Sequence, residues 1–131
     1  MANFGDVVLT ADWKSEKHVP VIECGDEVQA DTFFPVKVTL GKAIAHPNTT
    51  EHHIRWIALY FLPQGAKALV EIGKVEFTAH GESTEGPNKG TLYANHEILL
   101  SMKTGKPGTL YALAYCNIHG VWGSTKELKV R

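Results

Sequence analysis

The chain predicts an antiparallel β-sandwich. Three observations lead there. Short apolar runs rich in Val, Ile, Phe, Tyr and Trp recur at roughly 8–12-residue spacing. Gly- and Pro-bearing turn signals separate them. No stretch carries the 3.6-residue apolar period of an amphipathic helix.

Residues 1–15 form an irregular lead. Asp12 to Lys17 has the composition of one helical turn, but Pro20 biases Val19 away from helix. Val19 to Cys24 reads as a short β-branched strand. Thr32 to Leu40 follows, with Pro35 marking a sheet edge or a bulge. Gly41 ends that run, and residues 42–53 are a loop with three histidines. Ile54 to Leu62 is the most apolar segment and reads as a central strand. Strict alternation sets Ile54, Trp56, Ala58, Tyr60 and Leu62 on one face and Arg55, Ile57, Leu59 and Phe61 on the other. Trp56, Tyr60 and Phe61 are expected in the core.

Pro63-Gln64-Gly65 turns the chain. Ala68 to Ile72 and Lys74 to Ala79 read as two strands around Gly73. His80 to Gly90 is a polar loop. Thr91 to Lys103 reads as one long strand or a strand pair. Thr104 to Gly108 is a turn, Thr109 to Tyr115 a strand, and Glu127 to Arg131 the last strand.

At 131 residues the chain is expected to be one domain, 1–131, long enough to bury a core. Hydrophobic residues make up 44% and charged residues 21%, and the formal net charge is −1. Such a balance gives no sign of nucleic acid or an anionic membrane as partner. No apolar run reaches a membrane span, and the first residues lack a basic segment followed by an apolar one. Two cysteines make no disulfide framework. A cytoplasmic setting is therefore expected, with Cys116 available as a ligand and Cys24 as a small packed hydrophobe.

The chemistry centres on Tyr115-Cys116-Asn117-Ile118-His119-Gly120-Val121-Trp122. A thiolate and an imidazole three residues apart can hold one metal ion from a single turn. His46 and His52 flank a turn-prone Pro-Asn-Thr-Thr loop that can aim both rings at one ion. His18 completes a set of four imidazoles and one thiolate. Structural zinc usually takes four ligands. Four histidines and a cysteine instead suit a five-coordinate ion with an open sixth face, and imidazole with one thiolate suits iron. Blue copper also uses a Cys-x-x-His turn in a β-sandwich, often with an axial Met just beyond, but here the only methionines are Met1 and Met102. A carrier or storage sandwich without turnover and a structural zinc domain remain open as rivals. His53 points away from its neighbour in an extended chain and is not expected to ligate. His80 is expected as a buried supporting residue and His96 as exposed.

The segments Glu16-Lys17-His18-Val19-Pro20, His46-Pro47-Asn48-Thr49-Thr50-Glu51-His52-His53-Ile54-Arg55-Trp56, Ala79-His80-Gly81-Glu82-Ser83 and the Cys turn together strongly resemble superoxide reductase, more narrowly its one-iron, neelaredoxin-type class. They cover roughly residues 10–130 in one order.

The resemblance implies an immunoglobulin-like seven-stranded sandwich, commonly a homotetramer, with one mononuclear non-haem iron per chain cycling between Fe2+ and Fe3+. By motif position, His18, His46, His52 and His119 are the equatorial ligands and Cys116 the axial one. Glu16 matches the carboxylate that takes the sixth position in the ferric state. Lys17 matches the lysine that attracts superoxide and supports proton delivery. The implied reaction is one-electron reduction of superoxide to hydrogen peroxide without oxygen release. Rubredoxin or a similar protein is the implied donor. The four-cysteine rubredoxin-like domain of two-iron members has no counterpart before residue 16.

Overall fold

A computed structural model describes residues 2–131; Met1, the first residue of the expected lead, lies outside the described residues. Among the described residues eight strands form two sheets: β1 (Val21–Glu23), β2 (Glu27–Val28), β3 (Phe34–Thr39), β4 (Ile54–Pro63), β5 (Val70–Glu76), β6 (Glu97–Met102), β7 (Gly108–Cys116) and β8 (Gly120–Val130). One sheet runs β1-β3-β6 and the other β2-β8-β7-β4-β5. Seven strands pair antiparallel, in the arrangement of an immunoglobulin-like sandwich. The eighth, β2, is two residues long and lies parallel to the end of β8. No helix among the described residues is long and apolar enough to cross a membrane.

The core is the inner face of both sheets. Val36, Val38 and Ile98 face Ile57, Leu59, Leu110, Ala112 and Leu128 across the sandwich. Each large aliphatic side chain withdrawn from water here contributes about 1.5–3 kcal/mol. Alternation along β7 buries Leu110, Ala112, Ala114 and Cys116 in turn. Cys116 is thus the last inward residue of a core strand, which fixes the direction of its sulfur.

Strict alternation fails at one point in β4. Ile54 pairs with Cys116 and Trp56 with Tyr115, so Arg55 is an extra residue in the ladder. The bulge moves Ile54 onto the core face with Ile57, Leu59 and Phe61. Trp56 and Tyr60 are half-buried outside it, and only Phe61 of the three aromatics is in the core.

The two strands expected around Gly73 are one, β5, bulged opposite Leu59 and Tyr60. The 91–103 strand shrinks to β6, because residues 91–96 form a loop held by a single bridge from His80 to Tyr93. The final strand begins seven residues earlier than expected, at Gly120. Pro35 lies in the middle strand of its sheet, but β1 pairs only with Lys37 to Thr39, so Pro35 has a neighbour on one side only. Among its described residues the lead is irregular except for a 3-10 turn at Phe4–Asp6 and a parallel bridge of Leu9 to Trp122.

Candidate metal centre

Three loops meet at one end of the sandwich. The first is the link between β7 and β8. Cys116 pairs with Gly120, leaving Asn117-Ile118-His119 as a three-residue hairpin loop. Gly120 has φ +87°, the left-handed conformation with which such loops close. Residue spacing in this loop returns His119 to the side of Cys116: its Nδ1 lies 3.7 Å from Sγ. The His119 backbone N–H also points at that sulfur, at 3.4 Å.

The second loop precedes β1. Asp12 accepts backbone N–H bonds from Ser15 and Glu16 and closes one turn. Beyond it the Glu16 carboxylate accepts from the His18 backbone N–H (3.1 Å) and meets the ring Nδ1 at 2.7 Å. Trp122 stacks on the His18 ring, with centroids 5.0 Å apart and planes 18° apart. His18 is buried, and its Nε2 lies 3.2 Å from His119 Nδ1.

The third loop spans residues 41–53. Gly41, at φ +77°, lets it fold back so tightly that a Cβ there would lie 2.7 Å from the His46 nitrogen. The Thr49 hydroxyl accepts from the His52 N–H, closing the turn that carries His52. His52 Nε2 then lies 3.3 Å from His119 Nδ1.

The result is a cluster in which one ligand atom each from His18, His52, Cys116 and His119 all lie within 4.8 Å of one another. Cys116 and His18 are buried, His52 half-buried and His119 exposed, so the cluster opens to solvent on one side. His46 lies against it without being one of those four. Its ring centroid is 4.9 Å from that of His18 and 5.0 Å from that of His52. His46 Nδ1 is engaged by the Pro47 carbonyl at 2.6 Å, while its Nε2 is buried with no partner among the described residues. An orphaned buried imidazole nitrogen beside three other histidines fits a place for a cation.

Electrostatics agree with that fit. Burial, with the neighbouring histidines, pushes His46 down to about 4. His52 is also held below its ordinary value, first by burial and then by His119, His18 and Lys17. Neutral imidazoles are the form that binds metals. The bond from His18 holds the Glu16 carboxyl below its usual range.

Lys17 is half-exposed and adjoins His18 in sequence. His53, as expected, turns away, and its ring stacks on His80 at 3.4 Å. His80 is buried, with Nδ1 3.3 Å from Glu82. His96, expected at the surface, is buried instead, its ring edge-on to His46 at 5.8 Å. The loop that replaced the expected strand turns it inward. Cys24 and Cys116 are both free. A cleft of about 640 Å³ bounded by His53, Arg55, His80 and Tyr115 includes none of the four clustered donors.

The desulfoferrodoxin family model matches residues 10–125. The chain belongs to that family. Among curated desulfoferrodoxin relatives, it is 59% identical to neelaredoxin of Megalodesulfovibrio gigas, over 96% of this chain and 97% of that one. It is 55% identical to superoxide reductase of Pyrococcus furiosus, over 95% and 98%. The fold superposes on superoxide reductase (neelaredoxin) from Archaeoglobus fulgidus in the reduced form with a TM-score of 0.86 and 48% identity, covering 94% of this chain and 98% of that one.

Proposed function

We propose that this desulfoferrodoxin-family chain is a superoxide reductase, acting as one domain. It reduces superoxide to hydrogen peroxide with one electron and two protons, at a mononuclear non-haem iron. His18, His46, His52 and His119 are the imidazole ligands and Cys116 the thiolate. The convergence of His18, His52, Cys116 and His119 within 4.8 Å, open to solvent on one side, carries the reading. Bound iron supplies the electron.

The remaining work falls to side chains. Lys17 carries a positive charge beside the cluster, which raises the local concentration of a small anion despite the net charge of −1. Its ammonium also orders the water that delivers protons. The His119 N–H directed at Sγ tempers the donor strength of the thiolate. Glu16 would offer a carboxylate oxygen to oxidised iron; here its Oε1 faces His18.

Taken alone, the four-donor cluster also suits structural zinc. His46, buried with a free Nε2, supplies the fifth donor that zinc does not need. A rubredoxin-like donor fits the exposed Ile118 beside His119. A homotetramer fits the exposed apolar side chains of Phe4, Val7, Leu69 and Val70. Free thiols suit a reducing cytoplasm.

The test is metal analysis with visible spectroscopy. About one iron per chain is expected, with a thiolate-to-ferric band that is absent from the ferrous protein and grows in as that protein consumes superoxide. A colourless zinc protein that gains no such band after iron loading overturns the reading.

A further inference from the structure

Resting on the metal centre proposed above, we infer that Asn117 is a positioning residue that fixes the spacing between the two halves of the donor set. Cys116 and His119 ride on the β7–β8 hairpin, whereas His52 rides on the turn before β4. Asn117 ties one to the other three times. Its side-chain Oδ1 accepts from the His53 backbone N–H at 2.9 Å. Its Nδ2 donates to the Glu51 carbonyl at 2.9 Å. Its own backbone N–H donates to the His53 carbonyl at 3.2 Å. The peptide groups on both sides of His52 are therefore fastened to the residue that follows Cys116.

Among the described residues, no other bond to the backbone around His52 does this. The Thr49 hydroxyl closes the turn on itself. Asn88 ties Thr50 and the Glu51 carboxylate to the 80–90 loop. The β4–β7 ladder ends at Ile54 and Cys116, and the Arg55 bulge interrupts its register just there. Asn117 takes over where the ladder stops: its amide, with one donor and one acceptor aimed along the same edge, extends the pairing by one more step. Across the gap it spans, His52 Nε2 sits 3.3 Å from His119 Nδ1.

The chemistry of the amide is specific. An aspartate keeps the acceptor for His53 but sets a carboxylate oxygen against the Glu51 carbonyl. Alanine loses both bonds. Either change frees the His52 turn to move relative to the thiolate without removing a ligand.

The test loads iron into the wild type, Asn117→Ala, Asn117→Asp and Leu128→Val. Leu128 is buried and pairs with Gly108, at the far end of the β7–β8 ladder. Three quantities are read: iron affinity by chelator competition, the position of the thiolate-to-ferric band, and the midpoint potential. Asn117→Ala should bind iron about 10–100-fold more weakly, with both the band and the potential displaced. Asn117→Asp should fall between it and the wild type. Leu128→Val should lose thermal stability and leave all three unchanged. Wild-type affinity, band and potential in both Asn117 variants overturn the inference, as does an equal displacement in Leu128→Val. Should Asn117→Ala fail to fold, Asn117→Asp decides alone. A wild type without any thiolate band instead removes the metal-centre reading, and this inference with it; a wild-type band beside unchanged variants removes only the clamp.

Discussion

Glu16 holds His18 by two donors at once, the ring Nδ1 at 2.7 Å and the backbone N–H at 3.1 Å, through a single carboxylate oxygen. Engaging Nδ1 leaves the Nε2 lone pair for the cluster and fixes which tautomer faces it. Glu16→Ala should therefore release iron about 10-fold more readily. With iron saturating, its second-order rate with superoxide should stay close to wild type, because the residue does not attract the substrate. Stopped-flow kinetics with a parallel chelation assay check both halves. A collapse of the rate at full iron occupancy would remove Glu16 from the positioning role and give it a direct part in reduction.

Lys17 adjoins His18 in sequence, and its charge adds to burial and to the neighbouring histidines in holding His52 below its ordinary value. Lys17→Ala should lower the rate of superoxide consumption about 10-fold at low salt. The salt dependence should flatten as well, since screening acts on the charge that has been removed. An unchanged rate with an unchanged salt slope counts against electrostatic attraction at this position.

Acid should destabilise the metal-free protein through His46. Its folded-state value, about 4, lies below the ordinary 6.5 because burial disfavours the charged ring. The unfolded chain therefore takes up a proton that the folded chain refuses. Stability is fully present above pH 6.5 and falls as the pH drops from there toward 4, by up to about 1.4 kcal/mol per unit. Burial lowers His96 in the same direction. Urea titrations at pH 7 and pH 5 should show the loss, and His46→Leu should reduce it. Equal stability at both pH values would contradict this.

Gly120 should tolerate little else. A Cβ there meets nothing within 4 Å, so the penalty of Gly120→Ala is the backbone conformation itself, about 1–2 kcal/mol at φ +87°. Gly120→Asn should lose less, because asparagine visits that region more readily. Thermal melts of the metal-free proteins rank the three. Equal melting of alanine and glycine would mean that the hairpin closes another way.

Much of the cluster was legible because its donor residues are chemically marked. A cysteine and four histidines beside turn formers announce themselves without coordinates, and the turn carrying Cys116 and His119 is where the spacing put it. Placement of the strands was less legible. Alternation misassigned Ile54 because the Arg55 bulge arises in the pairing of β4 with β7, which no local pattern encodes. The last strand was cut short because Gly120 and Gly123 resemble a loop until the opposite strand is known to pair with them. His96 read as exposed because its surroundings in sequence are polar, while its burial comes from packing near His46. Asn117 carried no signal at all: between a cysteine and a histidine, an asparagine reads as an ordinary turn residue, and its partners at Glu51 and His53 are some 65 positions away in the chain.

His18 and His119 touch across 101 positions of sequence. That separation bears on biosynthesis. While translation proceeds from one end, a chain emerging from the ribosome can display His18, His46 and His52 long before Cys116 and His119 exist. Until the β7–β8 hairpin is made and docked, those three imidazoles form no complete set. The four donors that converge within 4.8 Å thus come together only once that hairpin is made, and a nascent chain offers stray cations only a partial grip.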